Sequence, residues 1–374
     1  MKVKGSKSQI LYGIQAVENT VSARPSLPIL LNTLIEAGEK NVGVNKLRLT
    51  TSNIEVITKC TIPIEVEEEG GITVPTRLFL SIINELPEKE VYIQTKDNNV
   101  IIKCEKSLFK IFGRPSNEFP AIPKIDEITS TTLNSNILKD MIKKTRFAVS
   151  TDETRHALTG VYLGLKENQI KMVATDGHRL AYATEQVSTS PKEPVSVIVP
   201  TRVLNEIVRI FPEEGEKVKL LIGKNHISFN LEDISITSRL VEGTFPNYEQ
   251  VIPKEAGVQI RASTKNLSDS IRRVSLLTDE KSNLIKLKAE KNLLTITGST
   301  PSSGEGKEEI DIVLEGEEIE VGFNVKYMLD VLRVIDTEET VIKLTSPSSP
   351  AIIKPYVKDA KEENYLCVVM PLRL

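Results

Sequence analysis

One phrase recurs three times in this chain and limits what it can fold into. VPTRLFLSIINELP at 74–87 aligns without a gap on VPTRVLNEIVRIFP at 199–212, and FNVKYMLDVLRVI at 323–335 follows in step. Apolar residues fall at i, i+1, i+4, i+5 and i+8 in each copy: Leu78, Phe79, Ile82, Ile83 and Leu86; Val203, Leu204, Ile207, Val208 and Phe211; Tyr327, Met328, Val331, Leu332 and Ile335. That spacing is the buried stripe of an amphipathic helix, made three times. A period near 125 residues divides the 374-residue chain into three similar units.

The remainder of each unit agrees. A second amphipathic helix is predicted around 7–20, 136–149 and 264–277. Alternating β-rich runs such as KLRLTTSNIEVITKCTIPIEV (46–66) and KVKLLIGKNHISFNLEDISITSRL (217–240) lie between and after the helices. Pro-bearing stretches near 120–125 and 246–254 separate the units, which gives boundaries at 1–123, 124–253 and 254–374. The expected class is α+β: three similar domains, each with two helices packed on antiparallel sheets.

Composition narrows the function. Hydrophobic residues make up 40% and charged residues 26%, as in a soluble globular chain, and no apolar run reaches membrane-span length. The start, MKVKGSKSQI, has no signal-peptide pattern, so a cytoplasmic location is expected. Three scattered cysteines suggest neither a disulfide framework nor a zinc site. The net charge is −3, yet the helical stretches 7–20, 74–84, 136–149, 201–209, 264–277 and 324–333 together carry +8 and the remainder −11. Arg77, Arg202 and Lys326 occupy one slot in the three copies. Lys139, Lys143 and Arg146 follow i, i+4, i+7, and Arg272 lies on the last of the paired helices. Either these are ordinary solvated faces, or they form one positive surface that meets a phosphate backbone without reading bases.

MVATDGHRLAYAT (172–184) gathers Asp176, His178 and Arg179 beside Thr175 and a glycine. A catalytic reading lacks partners: there is no GxSxG, HExxH or CxxC, and no GxxxxGK[ST]. No metal or cofactor is expected. The remaining readings are a hairpin turn, since Asp-Gly between alternating runs favours one, or a binding element; a hydrolase using Asp176 and His178 stays as a rival. VIIKCEKSLFKIF (100–112) alternates like an edge strand, with Lys103, Lys106 and Lys110 beside Phe109 and Ile111, and STPSSGEGKEEIDI (299–312) offers Glu305, Glu308 and Glu309. Both could be solvated edges protected by charge, or two halves of a seam.

RPSLPIL (24–30), VATDGHRLA (173–181), VIVPTR (197–202), LVEGTFPNYEQVIP (240–253), GFNVKYMLDVL (322–332) and VVMPLRL (368–374) together resemble the bacterial β sliding clamps, the processivity β subunits of DNA polymerase III, over the whole chain. The resemblance implies a non-catalytic homodimer, joined head to tail into a ring whose helices face duplex DNA. It implies a hydrophobic cleft that takes short Gln/Leu/Phe-type segments of the polymerase, clamp loader and repair proteins, and nucleoid association during replication. The matching cleft positions are Leu158, Thr175, Gly177, His178, Arg179, Leu180, Pro246, Val251, Ser348, Pro350, Val368, Val369, Met370, Pro371, Leu372 and Arg373, with His178 and Arg179 expected to orient the segment. Arg24 matches a DNA contact, and Leu276 and Leu277 match interface positions facing Phe109. The chain departs from the family in TDETRHA (151–157), where Asp152 and Ala157 replace polar and aromatic DNA contacts. A scaffold of the same fold that never encloses DNA is the other rival.

Overall fold

The computed structural model describes the chain apart from residues 23, 39–41, 124, 188–190, 192, 214, 280–281, 302–303 and 359–363. One element order is used three times. The first repeat runs β1 (Lys2–Ser6), α1 (Lys7–Val17), β2 (Asn32–Ala37), β3 (Lys46–Ser52), β4 (Val56–Pro63), β5 (Glu65–Glu68), β6 (Gly70–Pro75), α2 (Thr76–Glu85), β7 (Glu90–Lys96), β8 (Asn99–Cys104), β9 (Ser107–Phe112) and the short β10 (Arg114–Pro115). The second runs β11 (Glu127–Asn134), α3 (Ser135–Thr145), β12 (Gly160–Lys166), β13 (Gln169–Thr175), β14 (Arg179–Gln186), β15 (Val195–Pro200), α4 (Thr201–Ile210), β16 (Lys217–Gly223), β17 (His226–Asn230) and β18 (Ile234–Arg239). The third runs β19 (Val258–Ser263), α5 (Thr264–Val274), β20 (Leu284–Glu290), β21 (Leu293–Thr300), β22 (Gly304–Glu315), β23 (Ile319–Asn324), α6 (Val325–Leu332), β24 (Glu339–Leu344), β25 (Ala351–Pro355) and β26 (Tyr365–Val369).

Local chemistry starts and stops these helices. Ser6 caps α1: its hydroxyl accepts from Gln9 N at 3.2 Å and Gln9 Oε1 accepts from Ser6 N at 3.0 Å, a capping box that satisfies two otherwise open donors. Asn324 Oδ1 accepts from Lys326 N and Tyr327 N at the start of α6. The predicted helices at 7–20, 136–149 and 264–277 are shorter, because the last residues of each tighten into a 3₁₀ turn (Glu18–Thr20, Arg146–Ala148, Ser275–Leu277). The repeated stripe is buried at Phe79, Ile82 and Ile83, at Val203, Leu204 and Ile207, and at Met328, Val331 and Leu332. Its first position differs: Val203 is buried, Leu78 is exposed and Tyr327 is half-buried.

The chain forms two compact units, Met1–Asn136 with Arg202–Leu240 and Ile137–Thr201 with Val241–Leu374, so the central repeat is shared between them. Within the first unit, α1 packs on β3 and β4 and against α2; within the second, α5 packs on β21 and β22 and against α6. The sheets explain the sharing. In each repeat the four middle strands form one run of pairs (β6-β2-β3-β4, β15-β12-β13-β14, β23-β20-β21-β22) and the first strand heads a second run with the last three (β1-β7-β8-β9, β11-β16-β17-β18, β19-β24-β25-β26), while β5 also pairs with β1, β10 with β6 and β22 with β19. The third middle strand then pairs with the last strand of the next repeat. β4 takes β18, with Ile57 opposite Thr237, and β14 takes β26, with Leu180 opposite Val368. Backbone hydrogen bonds thus carry the sheet across each repeat join.

Candidate functional site

The DGH segment is a tight turn between β13 and β14. Asp176 Oδ1 accepts from His178 N at 2.9 Å and Arg179 N at 3.0 Å, while Thr175 Oγ1 accepts from Gly177 N at 3.1 Å and donates to Arg179 O at 2.6 Å. Gly177 takes φ +88°, the left-handed region that favours glycine, and a Cβ there would lie 2.7 Å from Arg155 Nη2. Arg155 Nη1 donates to Asp176 O at 2.7 Å. Gly177→Ala is therefore expected to cost about 1 kcal/mol and lower Tm by about 2–4 °C, readable by thermal unfolding. With Asp176 Oδ1 held by amides and Oδ2 by Arg179, the carboxylate is not placed to serve as a relay for His178. Instead His178 stacks on Tyr327, ring centroids 6.4 Å apart and 18° from parallel.

A groove of roughly 390 Å³ opens beside this turn, lined by His178, Ser282, Leu284, Asn324, Tyr327, Met370, Pro371, Leu372 and Arg373. Met370 N donates to His178 O at 2.9 Å, and Leu372 N donates to Gly322 O at 2.8 Å, so the final segment forms one wall while β23 and α6 form the other. Five of the lining residues belong to the expected cleft. Ser282, Leu284, Asn324 and Tyr327 were missed; the available signal was Tyr327, the one polar-tipped aromatic at a stripe position filled elsewhere by Leu78 and Val203.

Several expected cleft residues lie outside this groove. Leu158, Thr175, Leu180, Val368 and Val369 are buried. For Leu180 and Val368 the reason is local. Phe245, Tyr248 and Ile252 fold over a cluster of Val173, Leu180, Ile352, Leu366 and Val368, with Tyr162 and Tyr182 packed against it. Burial also pushes the Tyr248 phenol above its ordinary range. Pro246 and Val251 are exposed on the same loop, Ser348 is exposed and Pro350 half-buried, and none of the four lines the groove. Arg179 is a correction of a different kind. It is 7% exposed and its guanidinium is committed to Asp176, Asp330 and Phe147 O, so it does not reach out to orient a ligand.

Of the basic candidates, Arg24, Arg77, Lys143, Arg202, Arg272 and Lys326 are exposed. Arg146 is half-buried, and burial lowers its pKa. Lys139 is a correction: it is 3% exposed and cannot present its charge to a phosphate. At the strand edges, Lys103, Lys106, Phe109, Glu305 and Glu309 are exposed, Leu276 is 81% exposed and Leu277 half-buried. Ile111 is a second correction, since it points into its own core opposite Val100. Glu308 is half-buried and paired within its own chain: Arg273 donates to both its oxygens, at 2.9 and 2.8 Å, which also holds the carboxyl below its usual range. Leu108 and Phe112, exposed on β9, were not singled out.

The chain is similar along its whole length to known proteins. Residues 1–123, 132–247 and 249–373 match the N-terminal, central and C-terminal domains of the DNA polymerase III beta subunit. The beta sliding clamp of Salmonella typhimurium is 32% identical, and that of Escherichia coli K12 31% identical, each alignment covering 100% of both chains. Among solved structures, the sliding clamp of Pseudomonas aeruginosa aligns over 100% of both chains with a TM-score of 0.94 at 30% identity. That of Bacillus subtilis has the same TM-score at 29% identity, covering 100% of this chain and 99% of its own. The three-domain clamp fold implied by the resemblance is thus the fold found, and the chain belongs to the DNA polymerase III β subunit family, the β sliding clamps.

Proposed function

We propose that this chain works as a DNA sliding clamp: two copies close head to tail around duplex DNA and tether the replicative polymerase, clamp loader and repair proteins, with no catalysis of its own. The observation that carries this is the repeated strand join. β4 pairs with β18 and β14 with β26; among the described residues this leaves two complementary stretches without such a partner, β9 of the first repeat and the 304–311 part of β22 of the third, whose far end pairs with β19. A second copy supplies each with the other.

The register follows from the ladders. Ser52↔Ile57, Thr175↔Leu180 and Ser299↔Glu305 are equivalent pairs, so Glu305 stands where Ile57 and Leu180 do. Lys103↔Leu108 and Asn230↔Ser235 are likewise equivalent, which sets Lys110 in the place of Thr237 and Val368. Glu305 then faces Lys110 across the seam, Glu309 faces Lys106, and Phe109 lies over Gly306. A Cβ at Gly306 would have Leu277 Cδ1 at 3.4 Å, so the glycine leaves room for the ring. Opposite charges fix orientation and the apolar contacts give most of the affinity.

Arg24, Arg77, Lys143, Arg146, Arg202, Arg272 and Lys326 would meet phosphates. With a net charge of −3, enclosure rather than tight ionic binding retains the DNA, which leaves the clamp free to slide. Short Gln/Leu/Phe-type segments dock in the groove, where Leu284, Leu372 and the flexible Met370 receive apolar side chains and His178 and Arg373 face polar groups. One groove shared by several partners implies competition and handover. The three repeats, 1–123, 124–253 and 254–374, are the clamp domains, and the cytoplasm, at the nucleoid during replication, is the place of work. The test is retention. After loading by a clamp loader onto nicked circular DNA, the protein should stay bound through gel filtration and be lost once the circle is linearised. Equal retention on both forms, or on neither, sinks enclosure and leaves a partner scaffold.

A further inference from the structure

We infer that Arg179 is a positioning residue of the groove: it touches no docked segment, and its guanidinium clamps α6, with Tyr327, against the turn that carries His178. This rests on the groove being the docking site proposed above. All three guanidinium nitrogens are used, each on a different partner: Nε donates to Asp176 Oδ2 at 3.1 Å, Nη1 to Asp330 Oδ2 at 2.7 Å and Nη2 to Phe147 O at 2.6 Å. Two aromatic rings pack against the guanidinium, that of Tyr327 at 4.5 Å and that of Phe147 at 5.3 Å. Three segments of the second unit therefore meet at one buried cation: the end of the turn after α3, the Asp176–His178 turn, and α6. Tyr327 in turn stacks on His178, and both line the groove.

The first repeat supplies an internal control. Its turn between β3 and β4 repeats four hydrogen bonds of the turn between β13 and β14. Asn53 Oδ1 accepts from Glu55 N and Val56 N as Asp176 Oδ1 accepts from His178 N and Arg179 N. Ile54 N donates to Ser52 Oγ at 3.1 Å as Gly177 N donates to Thr175 Oγ1, and Ile54 takes φ +80° where Gly177 takes +88°. Arg239 N donates to Glu55 O as Met370 N donates to His178 O. Arg179's place in that copy is held by Val56, a buried aliphatic residue. The turn therefore forms without an arginine. A buried charge is costly to desolvate, and this one is not needed for the backbone beside it. What the second copy has in addition is α6 with Asp330 and Tyr327, so the fork serves that wall. Lysine also has three N–H donors, but all on one nitrogen at the end of a flexible stem, so it cannot span acceptors spaced around a planar fork.

The test pairs affinity with a spectroscopic signature, using full-length protein and a fluorescein-labelled peptide Gln-Leu-Ala-Leu-Phe. The chain has three histidines, so the His178 imidazole signals are readily assigned by NMR. In free Arg179→Met protein these signals are expected to lose the ring-current shift of Tyr327, and peptide Kd to rise about tenfold or more. Arg179→Lys should rescue little. In a Tyr327→Leu background, Arg179→Met should add little further loss, because both act through one wall. Asp330→Asn, which leaves the arginine in place, should shift both readouts the same way by less, and it carries the test if Arg179→Met does not fold. Lost affinity with unchanged His178 signals and full additivity with Tyr327→Leu would mean direct ligand contact and overturn the proposal. Unchanged affinity with only a lower Tm would overturn it too. If even wild-type protein fails to bind the peptide, the docking reading falls, while the His178 signals of the free variants still decide whether Arg179 holds the wall.

Discussion

Replacing Phe109 by aspartate is expected to turn the dimer into monomers. Phe109 is 38% exposed on β9, with Leu108 and Phe112 more exposed still, on a strand whose equivalents β18 and β26 each have a partner strand. Across the proposed seam it meets Gly306, Leu277 and the 81% exposed Leu276. Truncating a central aromatic anchor costs about 2 kcal/mol or more, roughly a thirtyfold weaker contact. A carboxylate placed near Glu305 and Glu309 adds repulsion, and both seams of the ring suffer at once. Sedimentation should show half the wild-type mass, and retention on circular DNA should vanish with it. A dimeric Phe109→Asp protein would place the interface elsewhere. The register has its own check. Directly opposed residues of antiparallel strands hold their Cβ atoms about 4.5–5.5 Å apart, near disulfide reach. Lys110→Cys with Glu305→Cys should therefore oxidise to a covalent dimer, while Ile111→Cys with Glu305→Cys should not. The native Cys60, Cys104 and Cys367 are buried and give little background.

The sequence carried the fold through its periodicity. Three apolar stripes at one spacing require three helices with one buried side, and the ladders then follow from strands that alternate. What it could not carry was the side of a helix on which a long cation lies. Lys139 shares i, i+4, i+7 spacing with Lys143 and Arg146, yet it is also three residues before the buried Ile142 and next to the buried Leu138. The apolar arc of α3 is wide enough to take it in. Ile111 was misplaced for a different reason: it shares a face with Phe109, two residues back, and strand alternation does not say that the core reaches Ile111 and stops short of Phe109. The groove was half legible. His178 and Met370–Arg373 sit in recognisable phrases, whereas Leu284, Asn324 and Tyr327 arrive from the third repeat through pairings no local pattern announces. The strand joins were the least legible feature, since β4 with β18 and β14 with β26 link residues far apart in the chain.

Removal of Met370–Leu374 is expected to abolish segment docking and leave the dimer intact. β26 ends at Val369, so its ladders to β14 and β25 survive the deletion. What is lost is one wall of the groove: Met370, Pro371, Leu372 and Arg373, with the two backbone hydrogen bonds that pin them to His178 O and Gly322 O. Leu374 also leaves its contact beside Gly322, a surface seat whose loss is within the ordinary range of exposed changes. A groove without a wall cannot exclude water from an inserted Leu or Phe. Losing that burial, about 1.5–3 kcal/mol for each such side chain, predicts that affinity falls by about two orders of magnitude or more. Fluorescence polarisation with the labelled peptide reads the loss, and sedimentation reads the mass in the same sample. His178→Ala, which removes the stack on Tyr327 but keeps the tail, should fall between wild type and the deletion. The proposed seam, β9 with β22, shares no residue with the groove on the DGH turn, β23, α6 and the tail. The deletion should therefore still be retained on circular DNA while polymerase is no longer held there. A deletion protein that sediments as a monomer would make the tail part of the dimer's own framework, and one that binds peptide as well as wild type would move the docking site away from this groove.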